Sequence, residues 1–274
     1  MKEWLFKVKE ARLIDALTGQ LKLPRETLER LCAMGAVQVR PQGKGAWKRV
    51  RDPQFTLKGG DELQVAYEPR VLELPAFETT GPIWECPHYG VFFKPAGIMS
   101  QGTAAGDHRS ILYAVEKLGH EAYPVHRLDR ETEGPMLVAY SSEGAARLSE
   151  LFQQQAVKKT YQAIIVNAVR LSSQQGSFKQ DLDGKKAQTD YLILENLPDG
   201  RALVELTPLT GRLHQLRRHL AMAGSGIWGD PKYGKDNKNR DGLKLAAIAL
   251  EFRDPWTKEN RRFHVEASFK PAKT

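Results

Sequence analysis

The chain has 274 residues, 41% of them hydrophobic and 27% charged, proportions ordinary for a soluble globular protein with one large and one small domain or two of medium size. No apolar run approaches the roughly 20 residues of a membrane helix, and the charged N-terminus MKEWLFKVKE lacks the apolar core of a secretion signal. Cys32 and Cys86, the only cysteines, lack metal-ligand spacing and read as unpaired thiols of a cytoplasmic protein. The net charge of +8 favours a polyanionic partner, of which nucleic acid is the commonest.

Residues 1–72 form a small unit by pattern. Leu13 and Leu17 lie four apart, as on a short helix. A second helix begins near Pro24, with Leu28, Leu31 and Cys32 on one face and Gly35 in the helix-ending position. Val37 to Val39 alternates as a strand, and a basic loop follows with Lys44, Lys48, Arg49 and Arg51 around Trp47. Gly59-Gly60 turns the chain into a strand from Glu62 to Tyr67. Two short helices, a strand and a basic loop resemble an S4-type RNA-binding module, in which Lys48 and Arg49 would meet phosphates and Trp47 could stack on an unpaired base.

Residues 73–82, continuing a stretch with Pro69, Pro75 and Pro82, read as a linker, and a second domain spans 83–274. Tyr89 to Lys94 is strand-like and ends in a KPAG turn. Ser110 caps a helix carrying Ile111, Val115 and Leu118, with Gly119 as its stop. Met136 to Tyr140 is strand-like, so the polar stretch before it is a loop leading into a strand. Ser141 or Ser142 caps a helix with Leu148, Leu151 and Phe152. Three strand-like segments follow, VKKTYQAIIVNAV, TDYLILEN and RALVELTPLT. Residues 234–242 read as a mobile surface loop, and a closing hairpin turns at DPWTKEN. Helices interspersed with strands on short turns imply an α+β domain on a large mixed or antiparallel sheet.

The segment leading into the Met136 strand carries chemistry. In His126-Arg127-Leu128-Asp129-Arg130, a carboxylate lies between two guanidinium groups, and nearby positive charge favours the anionic form of a carboxylate. Such a group in a cleft serves as nucleophile, base or electrostatic stabiliser; on an isolated R-x-D-R, a structural ion-pair cluster is the commoner reading. Farther on, Leu213, Leu216 and Leu220 fall at i, i+3 and i+7, a buried helix face that would leave His214, Arg217 and Arg218 pointing elsewhere. His126, His214 and His219 lack zinc-site spacing.

His126 to Gly134 resembles the H-R-L-D-x-x-T-x-G signature of the RluA-type pseudouridine synthases. Phe93 to Gly97 resembles the family's N-K-P-A-G segment, Lys158 to Tyr161 its K-x-Y, Thr210 to Leu220 its T-G-R-x-H-Q-I-R-x-H, and Gly229 to Gly234 its G-D-x-x-Y-G. The resemblance covers residues 88 to 269 in the family's order. It implies an RNA uridine isomerase acting on ribosomal or transfer RNA, without metal or other cofactor, a monomer by default. Asp129 is then the nucleophile, Arg212 its ion-pair partner, and Tyr161 the group against the base. Lys94 and Arg217 support the site, and His126 and Arg127 would fill the stack left by an extruded uridine.

That chemistry suits a carboxylate. Breaking the N1–C1′ bond of uridine places positive character on C1′, as in glycoside hydrolysis, and Asp129 could attack C1′ or remove a ribose proton. Glu133, Pro135, Gln101 and Ala246 depart from the family's usual residues and bear on the substrate subgroup. The alternatives are a non-catalytic RNA-binding protein that kept the fold, and a nucleoside hydrolase using the same aspartate.

Overall fold

The computed structural model describes residues 1–234 and 241–269. Most of the polar stretch expected as a loop at 234–242 lies outside the described residues. Contacts divide the chain into two compact units, Met1–Thr80 with Met99–His120, and Gly81–Ile98 with Glu121–Thr274.

The first unit opens with β1 (Lys2–Lys7), β2 (Ala11–Arg12), α1 (Leu13–Gln20), α2 (Arg25–Ala33), β3 (Val37–Arg40), β4 (Lys48–Arg49), β5 (Thr56–Leu57), β6 (Glu62–Tyr67) and α3 (Pro69–Leu72). Its main sheet has the order β1-β6-β3-β4. Leu13, Ile14 and Leu17 of α1 and Leu28, Leu31 and Cys32 of α2 are buried together against Val37, Val39, Leu63 and Val65 of the sheet. Pro24 sits at the N-cap of α2, and Gly35 beyond its end takes a positive φ of 72°, the left-handed conformation that suits glycine. β1 was not foreseen: Glu3, Leu5 and Lys7 alternate with Trp4 and Phe6, which pack against the core. The one-turn α3 takes up the Pro69 end of that proline-bearing stretch, just before the expected linker, and its Leu72 is buried.

Residues 99–120, expected within the second domain, pack instead with the first unit. The buried Asp107 explains this. Arg51 Nη2 donates to its Oδ2 at 2.8 Å, and Arg49 Nε lies 3.2 Å from the same oxygen. The Asp107 amide donates to the Met34 carbonyl at 3.0 Å, and the Phe77 amide donates to the His108 carbonyl at 2.8 Å. A carboxylate taken out of water requires such partners. Within this segment lies α4 (Ile111–Lys117), where the Ser110 hydroxyl accepts from the Tyr113 amide as an N-cap.

The second unit holds β7 (Pro82–Cys86), β8 (Tyr89–Lys94), β9 (Tyr123–Pro124), β10 (Gly134–Ala139), α5 (Ser142–Gln153), β11 (Lys158–Ile165), β12 (Gln175–Phe178), β13 (Thr189–Asn196), β14 (Ala202–Pro208), α6 (Gln215–Met222), β15 (Leu245–Arg253) and β16 (Asn260–His264). Two sheets result, of order β7-β8-β10-β9 and β12-β13-β14-β11-β15-β16. All their pairings are antiparallel, and with the flanking helices they form the expected α+β architecture. No helix among the described residues is long and apolar enough to cross a membrane.

The two sheets meet where β10 crosses β15. The Ala247 amide donates to the Glu133 carbonyl at 2.8 Å, and Glu133 Oε1 accepts from the Ser268 amide at 2.7 Å. Glu133, a departure from the family pattern, thus ties the last described residues to the seam. Gly134 adopts a φ of 136°, and a Cβ there would collide with the Ala247 carbonyl. A second tie is the buried Tyr89 hydroxyl, which donates to Asp254 at 2.6 Å, while Asp254 also accepts from the Trp256 and Thr257 amides of the closing turn. Gly134→Ala should lower the unfolding free energy by about 2 kcal/mol or more, combining backbone strain with overpacking. Urea denaturation checks this; an unchanged midpoint would mean that the seam yields freely.

Candidate active site

Asp129 lies in the loop entering β10, 18% exposed. The loop is turned by the Thr132 amide donating to the Asp129 carbonyl at 3.1 Å. Behind it, Lys94 is fully buried, and its ammonium donates to the carbonyls of Ile98 at 2.6 Å and of Pro95 and Arg130 at 3.1 Å. The Gly97 amide donates to the same Arg130 carbonyl at 2.8 Å. Lys94 therefore ties the KPAG turn to the loop of Asp129 as a positioning group. Burial pulls its pKa down to about 7, against the fields of Glu131, Asp129 and Glu133.

The cation on Asp129 differs from both expectations. Arg130 donates to Glu131 through Nε at 2.8 Å and Nη2 at 2.6 Å, and Arg127 is exposed. Arg212, expected as the ion-pair partner, turns its Nε to the Lys186 carbonyl at 3.0 Å. Arg217 makes the pair instead, donating from Nη1 to Asp129 Oδ2 at 3.2 Å. Arg217 is only 5% exposed. Asp230 grips its other edge in a bidentate pair, Nε to Oδ2 and Nη2 to Oδ1, both at 2.8 Å. Asp230 Oδ1 also accepts from the Lys232 and Tyr233 amides at 2.8 and 2.9 Å. Burial disfavours the Arg217 cation, yet its two carboxylate partners hold its pKa above the ordinary value. Burial likewise opposes the Asp230 anion, and Arg217 and the two amides overcome it, lowering that pKa.

This arrangement revises the expected helix face. α6 starts at Gln215, after His214 in a left-handed conformation with φ 51°, so Leu213 precedes the helix and is 57% exposed. Leu216 and Leu220 are buried as expected, and Arg217 joins them because Asp230 and Asp129 supply its counter-charge. Arg218 stays on the solvent side, paired with the exposed Asp183 at 2.7 Å. Gln215 fastens the loop before the helix. Its carbonyl oxygen accepts from the Thr210 hydroxyl at 2.6 Å and the Arg212 amide at 3.0 Å. Its amide nitrogen donates to the Gln188 carbonyl at 2.8 Å and to the Thr189 hydroxyl at 3.0 Å.

The three histidines have separate partners. His214 Nδ1 lies 3.0 Å from the Tyr233 hydroxyl, and its Nε2 is 3.8 Å from Asp129 Oδ1. His219 donates from Nε2 to the Gln180 carbonyl at 3.0 Å, so its Nδ1 accepts from the Thr189 hydroxyl at 3.0 Å. His126 accepts the Leu137 amide of β10 on Nε2 at 2.9 Å and stacks on Phe152 at 4.6 Å. It is committed to the framework, which leaves Arg127 as the member of that pair exposed at the rim.

Tyr161 reaches the site from β11, where the pairing with β15 shifts register between Thr160 and Tyr161; such irregularities re-aim side chains beside active sites. Burial, then the field of Asp129, raises its pKa, so at neutral pH it is a neutral phenol. Asp129, Tyr161, Arg212, His214 and Arg217 line one cavity of about 660 Å³, within the size range of small-ligand sites. It can present a clamped carboxylate and an aromatic hydroxyl to one nucleotide. Lys48 is exposed on β4. Arg49, by contrast, uses its guanidinium on Asp107, the Thr103 carbonyl at 2.8 Å and the Gly35 carbonyl, and its expected role as a free phosphate contact does not fit that geometry. Trp47 is capped by Arg40, 4.7 Å from its ring centroid.

Residues 88–222 match the family described as RNA pseudouridylate synthase. The dual-specificity RNA pseudouridine synthase RluA of Haemophilus influenzae is 32% identical over 203 residues, 68% of this chain and 93% of that protein. The ribosomal large subunit pseudouridine synthase C of Rickettsia bellii is 35% identical over 159 residues, 52% of this chain. The match spans about half of that relative's length, 53%. The solved human RNA pseudouridylate synthase domain containing 1 shares the fold with a TM-score of 0.60 at 22% identity, over 73% of this chain and 88% of that one. The chain belongs to the RluA-type RNA pseudouridine synthases.

The burial of His126 has a measurable consequence. Desolvation, then the charge of Lys159, lowers its pKa to about 3, against about 6.5 in an unfolded chain. Between those values the unfolded state binds the extra proton. Stability from this residue is therefore complete above pH 6.5 and lost as pH falls toward 3, by up to about 1.4 kcal/mol per pH unit. His126→Asn should flatten the pH dependence of unfolding in that window; equal slopes in both proteins would contradict it.

Proposed function

We propose that the chain isomerises uridine in ribosomal or transfer RNA to pseudouridine, acting in the cytoplasm as a monomer. The observation that carries this reading is the Asp129 carboxylate, held by Arg217 and faced by Tyr161 in a nucleotide-sized cavity. In this reading Asp129 assists departure of N1 from C1′, as nucleophile or as base toward a ribose proton. Arg217 fixes its orientation and Asp230 fixes Arg217. Tyr161 lies against the detached base and, as a neutral phenol, can donate a hydrogen bond while the base turns. C5 then bonds to C1′, C5 releases its proton and N1 gains one, so the product is an isomer of the substrate. Arg127 enters the vacated stack, and Arg212 helps to hold the nucleotide from the loop before α6.

Residues 1–72, within the first unit, are proposed to be an S4-like RNA-binding module, followed by a linker at 73–82 and a catalytic domain from 83 whose residues 99–120 pack with the first unit. Lys48 is its candidate phosphate contact. The basic net charge supports an RNA partner, and two free thiols accord with a reducing compartment.

The direct test is tritium release from cellular RNA labelled at uridine C5. Wild type should release it and Asp129→Ala should not; release by both would remove Asp129 from the chemistry. The ranking of the arginines tests the geometry separately. Arg217→Lys cannot hold two carboxylates at once and should lower kcat by about 10²-fold with little change in KM, whereas Arg212→Lys should act mainly on KM. The reverse ranking would return the pairing role to Arg212.

A further inference from the structure

A second cavity in the same unit, of about 600 Å³, runs beside the first and is built at one end of the large sheet. Its walls come from four adjacent strands: the end of β14, the start of β11, the end of β15 and the start of β16. Four strands at ordinary spacing span about 14 Å. Lys158, Lys159, Arg253, Arg261 and Arg262 line it, against the single carboxylate Glu251.

The state of these cations distinguishes the groove from an ordinary solvated surface. Arg261 is committed internally, to Glu259 at 2.7 Å and to the face of Trp84. Lys158 and Arg262 share Glu251 at 3.6 and 3.8 Å, long exposed contacts of the kind that contribute little, so one carboxylate is divided between two cations. Arg253 is exposed and, among the described residues, gives only its Nε to the Lys258 carbonyl, at 2.8 Å. Lys159 is half-buried and has no carboxylate partner among the described residues; burial alone lowers its pKa. It lines this groove and the Asp129 cavity alike, as do Gln155, Pro208 and Leu209. Lys159 and Tyr161, both on β11, line the Asp129 cavity together. A desolvated ammonium without a counter-ion, at the junction between a nucleotide-sized cavity and a cationic groove, fits an anion brought by the ligand.

We propose that the groove carries the sugar–phosphate backbone of the RNA strand flanking the target uridine, with Lys159 taking the phosphate nearest the flipped nucleotide. The proposal rests on the uridine-isomerase reading. The path runs from the Asp129 cavity over Lys159 and along the β15–β16 end of the sheet, and it recognises backbone charge rather than base identity.

The test is the salt dependence of binding to a short fluorescein-labelled oligouridylate, read by anisotropy. Each lost phosphate contact on a single strand reduces the slope of log affinity against log salt by about 0.7. The combined variant Lys158→Gln, Arg253→Gln, Arg262→Gln should flatten the slope by up to about 2, and Lys159→Gln alone by about 0.7. A charge-matched control, Arg170→Gln, Lys179→Gln, Lys185→Gln, removes exposed cations that line neither cavity and should keep the wild-type slope. Thermal melts equal to wild type establish that the variants are folded. An unchanged slope in the groove variants, or equal flattening in the control, overturns the proposal. Failure of the isomerase reading is distinguishable, because wild-type protein would then release no tritium from C5-labelled RNA, whereas failure of the groove leaves that release intact.

Discussion

The Arg217 guanidinium is the pivot of the site. Removing this cation from water is costly, and the cost is offset only because carboxylates occupy two of its edges. Asp230 takes the bidentate edge and is itself held by the amides of residues 232 and 233. Asp129 receives the remaining Nη1. Three segments, the loop before β10, α6 88 residues farther on and the turn at 230–234, are thereby fixed to one another. Deleting one partner would leave an uncompensated buried charge, and that asymmetry makes the geometry rigid.

A second constraint supports the same loop from behind. The Lys94 ammonium takes three backbone carbonyls, and one of them, on Arg130, also receives the Gly97 amide. Where β10 crosses β15, contact is so close that only glycine fits at 134. Asp129 therefore sits on a loop held immediately after it by buried hydrogen bonds to Arg130 and, at the start of β10, by a strand crossing. Rigid support of this kind is what pre-organised electrostatics requires, since a carboxylate and a phenol free to wander would lose most of their effect.

Not all of the chain's excess positive charge is available to an anionic partner. Arg49 and Arg51 hold the buried Asp107 within the first unit, and Arg217 is sequestered in the site. Others, such as Lys48, Lys158, Arg253 and Arg262, face solvent. Net charge alone merges these two populations, and only the partners of each side chain separate structural cations from those left facing solvent.

Much of the fold and part of the site could be read along the chain. The faces of α1 and α2, the caps of α4 and α5, the strand after Asp129 and the closing hairpin all follow from local periodicity and capping, which act over a few residues. Asp129 and Tyr161, which line one cavity, were picked out by their motifs. What sequence could not supply was pairing at a distance. Arg212 and Arg217 are chemically alike, and which one reaches Asp129 depends on where α6 begins and how it is turned, set by Gln215 and by the left-handed His214. Asp230 stood inside a recognised motif with no role, because its role exists only once α6 lies against the turn at 230–234. The grouping of 99–120 with the N-terminal unit likewise rests on Asp107 finding Arg49 and Arg51 more than fifty residues away. Sequence by itself determined most of the segments that become helices and strands and which residues could carry the chemistry. Tertiary structure decided which charges meet, because the burial of an ion is set by the whole packed unit and by no local pattern.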